Sequence, residues 1–86
     1  MTVNFPKGLM KVVPVSRIED WVKGILLCRE ANLVSSAVAL EVELEEWLLI
    51  TVPEITTALV TSCNDYVSVT LNYEDITETY KIERGC

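Results

Sequence analysis

Carboxylates are the only reactive side chains that this chain offers in number. Ten of its 13 acidic residues fall between Glu30 and Tyr80: Glu30, Glu41, Glu43, Glu45, Glu46, Glu54, Asp65, Glu74, Asp75 and Glu78. That stretch has no lysine or arginine, because the seven basic residues lie in the first 29 positions or at Lys81 and Arg84. Clustered carboxylates repel one another, and a hard divalent cation relieves the repulsion through oxygen ligands. The chemistry to expect is a calcium-binding or magnesium-binding site, with Ca2+ or Mg2+ as the only cofactor implied. Glu41, Glu43, Asp65, Glu74 and Asp75 are its candidate ligands. No EF-hand pattern is present, since the acidic loops lack its length and its mid-loop glycine. A solvated acidic face that keeps a small protein soluble would account for the same residues. A further reading is an interaction surface at Glu45, Glu46 and Trp47, used for a basic protein partner or for self-association.

Other chemistries are excluded by missing atoms. With no histidine in the chain, neither a Ser/His nor a Cys/His nucleophile pair can form, and imidazole cannot hold zinc. Cys28, Cys63 and Cys86 are widely spaced and form no CxxC, so they read as neither a thiolate cage nor a disulfide framework. The first two suit core positions and Cys86 an exposed one. Gly8, Gly24 and Gly85 are the only glycines, too few and too scattered for a dinucleotide fingerprint or a P-loop. An enzyme would have to run on carboxylates alone, with Glu78 and a neighbouring acid as its one candidate pair. The expectation is a non-catalytic module.

The formal charge of -6 disfavours phosphate backbones and anionic membrane surfaces. No apolar run approaches the ~20 residues that span a bilayer. Residues Met1 to Lys7 lack the charged-then-apolar order of a secretion signal, so a cytoplasmic location is expected.

The elements that must position these residues follow from periodicity. At 86 residues a single domain is expected over 1–86. Leu9 to Val15 read as a first strand with Pro14 at its end. Ser16-Arg17-Ile18-Glu19 has the form of a capping box, and Ile18, Trp21, Val22, Ile25 and Leu26 then share one helical face. Asn32 suits a left-handed cap after Glu30. Residues 33–52 carry two patterns. Leu40, Val42 and Leu44 could face Val52, Ile50 and Leu48 across a hairpin turning at Glu45-Glu46-Trp47, whereas Leu33, Ala37, Leu40, Leu44 and Trp47 form a helical seam. The three apolar pairs favour the hairpin.

Pro53-Glu54 suits the start of a second helix burying Ile55, Ala58, Leu59 and Cys63, although the threonines at 56, 57 and 61 resist it. Tyr66–Tyr73 and Ile76–Glu83 form a final hairpin around Glu74-Asp75. Its register sets Val69 opposite Tyr80 and Val67 opposite Ile82, which puts Glu78 on the apolar face as a possible buried acid. The resulting expectation is an α+β domain with two helices on one face of an antiparallel sheet. The order would be β-α-β-β-α-β-β, a ferredoxin-like order with one extra strand by analogy.

Overall fold

The structure, a computed structural model, describes residues 1–85. Cys86, expected to be exposed, lies outside the described residues. The fold class is α+β: three helices pack on a four-stranded antiparallel sheet. The strands are β1 (Val3–Asn4), β2 (Thr57–Ser62), β3 (Tyr66–Asn72) and β4 (Thr77–Arg84), and the helices are α1 (Lys7–Met10), α2 (Glu19–Glu30) and α3 (Val34–Thr51). Strand order across the sheet is β1-β4-β3-β2.

The β3–β4 hairpin has the register its alternation dictates. Val67 pairs with Ile82, Val69 with Tyr80, Leu71 with Glu78 and Asn72 with Thr77. One slip of a single residue would turn Val67, Val69 and Leu71 outward, so the buried face itself fixes the pairing. Those three residues and Ile82 are fully buried against the helices.

Four segments differ from the sequence expectation, each for a physical reason. Residues 9–15 form no strand. Leu9 lies inside α1, Val13 donates its N–H to the Leu9 carbonyl at 3.0 Å, and both side chains enter the core. Spacing of four, rather than alternation, is the pattern that matters there. Ser16 caps nothing. Residues Val15–Arg17 form a 3-10 turn, and α2 starts at Glu19 without a side-chain cap. Residues 33–52 form α3 instead of a hairpin. Glu45-Glu46-Trp47 lacks turn chemistry, while Ala, Leu and Glu all favour helix, and Ala37, Leu44 and Leu48 are buried along one side. Residues 57–62, expected in a helix, form β2, where the β-branched threonines belong. The observed order is therefore β-α-α-α-β-β-β, with the short β1 added on β4 through Val3–Arg84 and Asn4–Glu83 pairs.

The end of α2 is as expected. Asn32 has φ 60°, its N–H reaches the Arg29 carbonyl, and the Leu33 N–H reaches the Cys28 carbonyl at 2.7 Å. This left-handed cap with paired bonds reverses the chain and lays α3 beside α2. Trp21 and Trp47 then meet between the two helices with ring centroids 5.7 Å apart, and Leu40 packs on Gly24. The core below is built from both helices and the inner sheet face: Ile18, Val22, Ile25, Leu26, Leu44, Leu48, Val60 and the hairpin residues.

Candidate functional site

The acidic residues are dispersed over the molecule. Glu41 and Glu43 stand on α3, Asp65 in the β2–β3 turn, and Glu74 and Asp75 at the β3–β4 tip. Among the described residues, no three histidine, cysteine, aspartate or glutamate side chains stand together as a group able to hold a metal ion. The five candidate ligands thus do not converge, because the helix in place of a hairpin turns Glu41 and Glu43 to different sides.

Glu41 faces inward and is only 6% exposed. A carboxylate there requires partners, and it has two. Arg29 Nη2 of α2 lies 3.4 Å from Glu41 Oε2, and Ser62 Oγ of β2 donates a short hydrogen bond to the same oxygen. Arg29 Nε also donates to Ser62 Oγ at 2.9 Å. The three side chains tie α2, α3 and β2 together. Arg29 is thus the cation that neutralises the most buried acid. Sequence gave no signal for Arg29 and Ser62 as partners, being 33 residues apart.

Asp65 lines an open depression with Glu30, Asn64 and Arg84. Arg84 occupies it. Its Nη1 pairs with Glu30 at 3.2 Å, while Nε and Nη2 donate to the Asn64 carbonyl and Nη2 also to that of Leu26. The guanidinium clamps the end of β4 to the end of α2 and the β2–β3 turn, so little of it is left to bind a ligand.

Glu78 is exposed, a correction to its place as a possible buried acid. It does share the inner sheet face, opposite Leu71, but at the rim near the hairpin tip. Its charge, after burial and Tyr73, is among the causes that raise the Tyr80 pKa above 10.0. Trp47, expected in an acidic loop, instead packs on Trp21, since residues 45–47 lie inside α3. Glu46 is exposed on that helix.

Glu45 has a different task. Its Oε2 accepts the Val60 N–H at 2.9 Å. β2 is an edge of the sheet, and antiparallel pairing alternates inward and outward backbone groups. The Cys63 N–H bonds to the Tyr66 carbonyl, so the register leaves Ala58, Val60 and Ser62 with backbone groups pointing away from β3. Glu45 caps the middle one and so blocks the free edge.

The feature that the strand-based reading missed is the outward side of α3. Val34, Val38, Val42 and Leu49 are exposed at 48%, 44%, 45% and 42%. Their spacing sets them on one stripe, which Glu45 shares while its carboxylate turns aside to the Val60 N–H. The signal was present as valines stepping by four, but it needs a helix to become a stripe. No helix among the described residues is long and apolar enough to cross a membrane. No family model, curated protein or solved structure matches this chain, so the α+β architecture and the geometry of its surfaces are what bear on function.

Proposed function

We propose that the chain is a small non-catalytic protein-interaction module that docks through the outward side of α3. The observation that carries this reading is the apolar stripe Val34, Val38, Val42 and Leu49 on a helix that turns Ala37, Glu41, Leu44 and Leu48 inward. A surface helix normally turns a polar face to water, and contiguous exposed apolar residues mark contact sites. Glu46 borders the stripe beside Val42, which joins the apolar patch to the negative character expected of a docking surface. The cation reading draws no comparable support, because the candidate acids stand apart.

The test is backbone NMR of the chain titrated with an apolar dye. Shifts confined to residues 34–49, and lost in Val42→Asp, are the expected result. Shifts spread evenly over the molecule, or centred on the outer sheet face, would refute the reading.

A further inference from the structure

Resting on that reading, we infer that the partner is an amphipathic helix bordered by basic residues. Three features of the α3 face select it. The first is spacing. Val34, Val38 and Val42 step by four and Leu49 follows seven later, the ridge that another helix meets with its own side chains. The second is the neighbouring sheet edge. A strand adding to β2 would need the Val60 N–H, which Glu45 already holds at 2.9 Å, so main-chain augmentation is obstructed where a helix is not.

The third feature is charge. Every charged residue from Glu30 to Tyr80 is acidic, so neither α3 nor β2 brings a cation to this surface. Arg29, on the adjoining helix, is committed to Glu41 and Ser62. Glu46, beside Val42 on α3, is exposed, and among the described residues it meets no cation. A second copy would bring the same acids, and another charge of -6, to the interface. Like charges facing each other oppose association, and opposite charges promote it and set its specificity. Lysine or arginine beside an apolar seam supplies what this face lacks.

The experiment uses three synthetic peptides of α3's length, 18 residues. One has a Leu/Val seam bordered by lysine. The second has the same seam bordered by glutamate, and the third has the lysine peptide's composition in scrambled order. Each is titrated into the chain and followed by backbone NMR shifts. The lysine-bordered helix should bind at least about tenfold more tightly than either control, with shifts concentrated on 34–49. Val42→Asp and, separately, Val38→Lys should each weaken it about tenfold, both being exposed positions where the fold survives. Glu46→Gln should weaken it about twofold and flatten its salt dependence, whereas Glu43→Gln, on the far side of α3, should leave it unchanged.

Equal binding of the scrambled lysine peptide would overturn the inference, as charge alone would then suffice. Equal binding of the glutamate-bordered peptide, or shifts centred on the β2 edge, would also overturn it. Sedimentation that shows a dimer of the chain, broken by Val42→Asp, would name a second copy as the occupant and leave the interaction module standing. Absence of peptide binding together with a dye that does not localise on α3 would remove both.

Discussion

Two outward surfaces of this domain meet water in opposite ways. The outer face of the sheet carries Thr57, Leu59, Thr61, Ser68, Thr70, Asn72, Thr77, Thr79 and Lys81, and several of its polar side chains bond one another. Asn72 Nδ2 donates to Thr57 Oγ1 at 2.7 Å, Thr77 Oγ1 donates to Asn72 Oδ1 at 2.8 Å, and Thr70 and Thr79 hydroxyls lie 3.2 Å apart. Lys81 rests over the Tyr66 ring at 4.4 Å. The outer side of α3 has no such ladder. It presents valine and leucine to solvent, with the exposed Glu46 beside them. The sheet face sets a lone exposed leucine, Leu59, among bonded hydroxyls, whereas the helix face exposes a row of apolar side chains that association would remove from water. The difference teaches that polar decoration does not identify the docking side of this molecule, and that the acids matter as its rim.

The comparison can be broken most severely at the lock that holds α3 in place. Arg29→Met leaves the Glu41 carboxylate nearly buried without its counterion. The expected cost is about 3 kcal/mol in urea unfolding, the low end for a broken buried pair because Arg29 keeps some contact with water. Adding Glu41→Leu to the same variant should restore most of that loss, since no charge is then stranded. A cost well under 1 kcal/mol for Arg29→Met alone would mean that the triad does not fix the helix.

The next effect contrasts the faces directly. Val42→Asp and Thr79→Asp put the same charge on each surface, and each should change stability by only about 0.5 kcal/mol. Only Val42→Asp should weaken association, by about 1.4 kcal/mol for a tenfold loss. Equal effects on binding would erase the distinction.

Glu45→Ala should cost about 1 kcal/mol and speed hydrogen exchange at the Val60 amide while leaving the β3 amides protected. The variant also tests whether the uncapped edge pairs with other chains, readable as concentration-dependent sedimentation. Thr70→Ala removes one rung of the hydroxyl ladder and should cost about 0.5 kcal/mol, measured by thermal unfolding.

The smallest effect concerns the inner sheet face. Burial, then the Tyr73 and Glu78 charges, raises the Tyr80 pKa above 10.0. The folded state therefore holds this proton more tightly than the unfolded chain does. Its contribution to stability is fully present below pH 10.0 and is lost as pH rises through the raised value. Melting temperature against pH should show that fall, and Tyr80→Phe should reduce it.

Legibility in the sequence depended on whether local pattern and global packing agreed. In 66–83 the alternation, the Glu74-Asp75 turn and the inner face all require one register, and that register is observed. Asn32 likewise adopts the left-handed cap expected of it. In 33–52 two periods fit equally well, because Leu40, Val42 and Leu44 serve both a strand face and a helix. Three cross-strand pairs weighed more than the helix preference of the residues themselves, and that choice misplaced every acid from Glu41 to Glu46. Glu78 was on the expected face, but the rim position that exposes it is a property of where the helices stop covering the sheet.

The sequence by itself determined the absence of imidazole chemistry, the acidic middle of the chain and the α+β class, because these need only residue types, their order and short-range periodicity. Tertiary structure decided that Glu41 turns inward to Arg29 and Ser62, that Glu45 guards an edge, and that the valines of α3 stay outside. Those outcomes depend on contacts between residues far apart in the chain, and neither a carboxylate's partner nor the uncovered side of a helix exists until the elements are packed.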